Sequence, residues 1–175
     1  IVKLIRSENL DIVESYGDSD YLQTIIESVS VIDTSFNKGI IYHIFVDRFN
    51  RSGEVLERDG LHLINDWNKP VEREFENNEC VNKACYGGNL QGIIDKISYF
   101  KQLNVTTIYL SPIFEGNSSH KYDVADYSKI DSMFGDETKL KELIKVAKEN
   151  KINIILDGVF NHTGSDSIYF NKDGR

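Results

Sequence analysis

The sequence predicts an α/β fold: the first strands and helices of a parallel (β/α)8 barrel, preceded by the end of a β-rich N-terminal domain. Three observations carry this prediction. Nearly continuous apolar, β-branched runs recur at residues 40–46, 105–110 and 152–156, which is how strands buried on both faces read. Between them lie two stretches with apolar residues at helical spacing. Strands alternating with helices imply parallel β-α-β units with right-handed crossovers.

Residues 1–36 hold short apolar stretches, such as Tyr21 to Ile26 and Val29 to Ile32, separated by Asp, Ser and Gly. They read as the last strands of an upstream β-domain and a connector. Residues 37–163 read as the first part of the barrel, and 164–175 as the start of a domain inserted after the third strand. The first barrel strand runs from Ile40 to Val46, with Asp47-Arg48-Phe49 at its C-terminal end. Residues 50–88 are polar and aperiodic, and a loop of that length in a compact domain is functional or disordered.

Leu90, Ile93, Ile94, Ile97 and Phe100 predict an amphipathic helix over 90–103, with Asn89 as its N-cap. Val105 to Leu110 is the second strand, ended by Ser111-Pro112 because proline cannot donate to a ladder. A loop then runs to about residue 135. Leu140, Leu143, Ile144 and Ala147 mark a second helix after Gly135-Asp136. Ile152 to Leu156 is the third strand, closed by Asp157-Gly158. A closed barrel has eight strands and about 250 residues, so three strands form only part of one.

The apolar share of 40% and the charged share of 27% suit a folded globular chain. A net charge of -8 repels phosphate backbones, which disfavours a nucleic-acid partner and suits a neutral substrate. No stretch of about 18 apolar residues exists to span a membrane, and the opening Ile1 to Arg6 lacks the apolar core of a signal peptide. Cys80 and Cys85 allow a local disulfide or two free thiols; the thiols are favoured, which tips an otherwise unknown location towards the cytoplasm over secretion. Without a nearby His pair the cysteines make no zinc site, and no metal ligand is assigned.

In β/α barrels chemistry gathers at the C-terminal strand ends. Here those ends supply Asp47-Arg48, Ser111-Pro112 and Asp157-Gly158-Val159-Phe160-Asn161-His162, and the loop after the second strand adds His120-Lys121-Tyr122-Asp123. Imidazoles, carboxylates, an amide and an aromatic face are the groups that bind a polyol ring. His43 reads as a core histidine and His62 as an exposed one. Asp123 and Asp126 read as turn or network groups.

These segments resemble a known family. Asp157 to His162 looks like the Asp-x-x-x-Asn-His signature at the end of strand three in the α-amylase family, glycoside hydrolase family 13. His120 to Tyr127 is similar to the segment before it in neopullulanases, cyclomaltodextrinases and maltogenic amylases. Ile41 to Phe49 resembles their first barrel strand, and Tyr86-Gly87-Gly88-Asn89-Leu90-Gln91-Gly92-Ile93 the start of their first helix. The four motifs stand in family order over residues 40–164.

The resemblance implies roles. Tyr122 is the aromatic platform under the sugar at the cleavage point, and His162 and His120 bind in the same cleft. Asp157 lies beneath the nucleophile without being it. Asn161 holds the adjacent loop and binds calcium in many relatives. Asp47 and Arg48, read from the residues themselves, are expected to form a structural ion pair under the barrel mouth. The implied substrate is an α-glucan oligosaccharide such as starch or maltodextrin, hydrolysed by a retaining mechanism. Such hydrolysis uses two carboxyls about 5–5.5 Å apart, which in the family follow strands four and five, beyond residue 175. The catalytic pair is therefore expected outside this chain, and the isolated 175-residue chain is expected to be inactive. No cofactor is required by this reading. Relatives bind calcium through an Asn-Gly-Asp and the aspartate of Gly-Gly-Asp-Leu; here Asn50-Arg51-Ser52 and Gly88-Asn89-Leu90 leave a degraded site. A homo-oligomeric parent is compatible with the resemblance. The competing reading is a non-catalytic carbohydrate-binding or scaffolding relative with the same barrel.

Overall fold

The structure is a computed structural model that describes residues 38–71, 75–76, 79–80 and 82–170. The expected β-rich segment 1–36 lies outside them. The described chain runs β1 (Ile40–Ile44), a 3-10 turn (Val46–Arg48), β2 (His62–Leu63), β3 (Phe75–Glu76), β4 (Glu79–Cys80) and β5 (Ala84–Cys85). It continues with α1 (Leu90–Asp95), α2 (Ile97–Gln102), β6 (Val105–Leu110), β7 (Phe114–Gly116), β8 (Val124–Ile130), α3 (Glu137–Glu149) and β9 (Asn153–Leu156).

The barrel part is a parallel sheet in the order β1-β6-β9. Each crossover passes through helices, as the alternation predicts. Ile44, Leu90, Ile93, Phe100, Ile108, Leu110 and Leu143 are all essentially buried and form one core between sheet and helices. Phe100 stacks on Phe49 at 5.4 Å and meets Tyr42 edge-on at 5.3 Å. Among the described residues no barrel closes, and no helix is long and apolar enough to cross a membrane.

Several expectations change. β1 is not buried on both faces: Ile40 is 50% and Ile41 53% exposed. Among the described residues, only the face carrying Tyr42 and Ile44 meets the helices, and β1 pairs with β6 alone. For the same reason His43 is not a core residue; it is exposed on the opposite face, its ring 5.0 Å from Tyr109. The single helix over 90–103 is two, broken at Lys96, whose N–H is shared between the carbonyls of Ile93 and Ile94. The buried seam of Leu90, Ile93, Ile97 and Phe100 passes through the break. The expected loop to residue 135 contains the antiparallel hairpin β7–β8, and the 50–88 loop holds the short pairs β2–β5 and β3–β4. Cys85 is a free, buried thiol, pushed up to about 12 by burial and then by the Asp47 charge.

The Asn89 cap matches the sequence reading, and Asp136, read only as part of the helix entry, is a cap as well. The Asn89 side chain accepts from the Gly92 N–H, and the Asp136 side chain from the Lys139 N–H. Gly92 has a further role: a Cβ there would lie 1.9 Å from the Asn50 carbonyl oxygen. Helix propensity alone makes Gly→Ala favourable by roughly 1 kcal/mol in a helix interior. We expect Gly92→Ala to lower the melting temperature instead, because the contact is with backbone; a higher melting temperature would refute this.

Candidate functional site

The strand ends bring Tyr122 and Asp157 together. Asp157 follows β9, and its N–H donates to the Leu110 carbonyl at 3.0 Å, which ties it to the end of β6. The Tyr122 hydroxyl donates to Asp157 Oδ2 at 2.9 Å. A second phenol, Tyr109 on β6, faces the same carboxylate; the Asp157 side chain, then burial, pushes Tyr109 up to about 12. Burial and the Asp157 bond also raise the Tyr122 phenol. Two neutral phenols therefore face one carboxylate. Tyr122 remains 36% exposed, so its ring is reachable.

His120 adjoins this pair. Its ring centroid is 5.9 Å from that of Tyr122, and its Nδ1 accepts the Tyr122 N–H at 3.0 Å. Burial lowers its pKa, the nearby Asp123 opposing and Lys121 reinforcing the shift. The neutral ring then carries its proton on Nε2. His162 is arranged alike: its Nδ1 lies 2.8 Å from the Asn161 amide nitrogen, a donor. Both imidazoles thus hold Nδ1 on a protein donor and present Nε2–H as a donor of their own. His162 and Asn161 are exposed on a loop pinned by the Tyr127 hydroxyl, whose one proton lies within reach of the carbonyls of both Val159 and His162. Among the described residues no hydrogen bond joins His162 or Asn161 to Tyr122, Asp157 or His120.

Beneath the loop lies a buried charge cluster. Lys121 and Asp131 are both fully buried and form an ion pair at 2.8 Å. Arg58 also pairs with Asp131 and donates to the Gly116 carbonyl at 2.9 Å. Asp123 accepts from the Asn117 N–H at 3.0 Å and from the Ser118 hydroxyl, and Asp126 binds Ser128 and Lys129. Both are network groups.

Among the described residues no hydrogen bond joins Asp47 or Arg48 to Tyr122, Asp157 or His120. Asp47 is 1% exposed, and its carboxylate accepts the N–H groups of Tyr86 and Gly87 at 2.9–3.0 Å and Arg48 Nε at 2.8 Å. The Arg48 guanidinium lies 4.0 Å over the Tyr86 ring. The pair welds the end of β1 to the segment leading into α1. A Cβ on Gly88 would lie 2.1 Å from the Val46 carbonyl oxygen, which explains the glycine there.

In the neighbouring loop the side-chain nitrogens of Asn50, Arg51 and Asn89 are tied to backbone carbonyls. Arg51 donates to the Asn65 carbonyl at 3.0 Å and the Ile64 carbonyl at 3.4 Å. The Asn50 amide donates to the Gly92 carbonyl at 3.1 Å, and the Asn89 amide to the Ser52 carbonyl at 2.8 Å. Among the described residues no cluster of three His, Cys, Asp or Glu could hold a metal ion. A cavity of about 290 Å³ lies between this loop and the start of α3, lined by Ser52, Glu54, Asn89, Phe134, Asp136 and Lys139 among others. None of Tyr122, Asp157, His120 or His162 lines it, so the candidate site is not that cavity.

The family described as "Alpha amylase, catalytic domain" matches residues 43–175. The chain belongs to the α-amylase family. It is 43% identical to an amylopullulanase of Thermoanaerobacterium saccharolyticum over 84% of this chain and 13% of that protein. With a cyclomaltodextrinase of Thermoanaerobacter pseudethanolicus the identity is 42%, over 78% of this chain and 22% of that protein. The fold matches the cyclic α-maltosyl-(1→6)-maltose hydrolase of Arthrobacter globiformis with a TM-score of 0.65 at 30% identity, covering 75% of this chain and 27% of that one. The type III pullulan hydrolase of Thermococcus kodakarensis matches with a TM-score of 0.66 at 33% identity, covering 75% of this chain and 25% of that one. The chain thus spans about a quarter or less of the length of these relatives.

In this α-amylase-family chain, sequence reasoning missed three site residues. Tyr109 is hidden inside an apolar strand run, where an aromatic reads as core. Lys121 sits within the His-Lys-Tyr-Asp motif but carries no local sign of burial. Asp131 looks like the turn residue after a strand. Its partner Arg58 is 73 positions away, a separation that no periodicity reports.

Proposed function

We propose that the complete protein, meaning this chain with the rest of its barrel, hydrolyses α-glucosidic bonds of starch- or maltodextrin-type oligosaccharides with retention. This chain supplies the sugar cradle at the cleavage point. The observation that carries the reading is the Tyr122–Asp157 pair at the strand ends of an α-amylase-family fold. The Tyr122 ring offers a flat face to the C–H side of a sugar. The Nε2–H groups of His120 and His162 donate to its hydroxyls, and Asp157 accepts. Asn161 sets the His162 tautomer. Asp47 and Arg48 act by holding the β1 end and touch no substrate. Residues 164–175 open the inserted segment that follows β9.

The chemistry of the step needs a nucleophile and an acid. Three carboxylates near the strand ends are engaged: Asp157 by Tyr122, Asp123 by Ser118 and the Asn117 N–H, Asp47 by two amides and Arg48. The complete protein is expected to release reducing sugar from maltodextrin, and the 175-residue chain alone to release none. No release by the complete protein would leave only the non-catalytic reading; release by the isolated chain would show that it holds its own catalytic pair.

Calcium does not fit the β1 loop, since Arg51 is cationic and the amides of Asn50 and Asn89 point their donors inward. Titration with calcium is expected to leave the Arg51 guanidinium resonance unmoved. A saturable shift would sink this assignment.

A further inference from the structure

We propose that Lys121 is a positioning residue: its ammonium, buried against Asp131 and the Gly116 carbonyl, clamps the 117–123 loop so that the Tyr122 hydroxyl stays on Asp157. The importance of that contact for turnover rests on the reading of this site as a sugar cradle.

Lys121 is 0% exposed, and lysine is almost never fully buried unless paired. A lysine serving only as a turn residue would leave its ammonium in water. Here Nζ lies 2.8 Å from Asp131 Oδ2, 3.0 Å from the Gly116 carbonyl and 5.5 Å from the centre of the Phe134 ring. Gly116 ends β7 and Asp131 follows β8, so the lysine fastens the middle of the loop to both strands of the hairpin that carries it.

The backbone at Lys121 has φ +58, in the left-handed region that non-glycine residues rarely adopt. That reversal puts the Tyr122 N–H on His120 Nδ1 at 3.0 Å and holds the two rings 5.9 Å apart. The Lys121 side chain leaves on the buried side. The strained residue is therefore the one that carries the anchor, and its two neighbours are the residues that face the mouth. Asp131 also binds Arg58 and the Met133 N–H, so losing the lysine does not strip the aspartate of partners.

Lys121→Met keeps the length and volume of the side chain and removes its charge. In the complete protein it is expected to lower kcat on maltodextrins about tenfold, as displaced positioning groups do. In a Tyr122→Ala background the same change is expected to cost nothing further. Equal losses in both backgrounds would overturn the proposal, because a merely structural role would act in either. Lys121→Gly relaxes the left-handed backbone but also removes the ammonium, and is expected to lose the same activity; full activity would show that only the backbone matters. If the wild-type protein does not hydrolyse maltodextrin, the sugar-cradle reading fails by itself. The clamp is then decided by nuclear Overhauser contacts between the rings of His120 and Tyr122, expected in the wild type and absent in Lys121→Met. Their persistence in the variant would overturn it.

Discussion

Replacing Tyr122 by alanine is expected to lower kcat/KM of the complete protein for maltodextrins about a hundredfold, as loss of a group that orients the reacting centre does. The ring contributes two separable things. In the proposed cradle its exposed face stacks on a sugar, and its hydroxyl holds Asp157 at 2.9 Å. Alanine removes both, whereas Tyr122→Phe keeps the face and is expected to lose only about tenfold. His62→Ala serves as the comparison, because His62 is an exposed residue on β2, outside the Tyr122 cluster, and should leave kcat/KM unchanged. Steady-state kinetics of the three variants decide the matter. Equal kinetics for Tyr122→Ala and His62→Ala would remove the platform role.

Replacing Asp131 by alanine is expected to destabilise the protein by about 3–5 kcal/mol, the usual cost of breaking a buried ion pair by removing one partner. Asp131 has no exposed surface and collects Lys121, Arg58 and the Met133 N–H. Without it the buried Lys121 ammonium keeps only the Gly116 carbonyl and the Phe134 ring. Lys141–Glu137 on α3 is the control: both side chains are more than 70% exposed, and Glu137→Ala should cost at most about 0.5 kcal/mol. Denaturant unfolding of the two variants measures both. A loss below about 1 kcal/mol for Asp131→Ala would show that Arg58 and Lys121 find water when the carboxylate goes.

These two residues differ in how far the sequence announces them. Tyr122 stands in a motif with family spacing and was legible at once. Asp131 was not, because its partners lie 10 and 73 positions away in the chain. The same contrast runs through the fold. β6 ends where Ser111-Pro112 predicts, and Asn89 and Asp136 cap the helices they precede. Those features follow from hydrogen bonds over a few residues. β7–β8 is not legible because seven residues, 117–123, separate its strands, longer than a tight two-residue turn, and its register shifts twice. The exposure of Ile40, Ile41 and His43 escaped notice because an apolar run states a preference for burial and not whether a covering layer is present.

The sequence by itself determined the family, the alternation of strand and helix, and the identity of Tyr122, His120, Asp157 and His162 as site candidates. Period, caps and motif spacing are local properties, so one dimension carries them. Tertiary structure alone decided that Tyr109 and Tyr122 face one carboxylate, that both imidazoles present Nε2–H, and that Lys121 is buried on Asp131. Each depends on which side chains meet across the sheet and hairpin. The free energy of such contacts comes from burial and pairing between distant residues, and local patterning along the chain does not encode it.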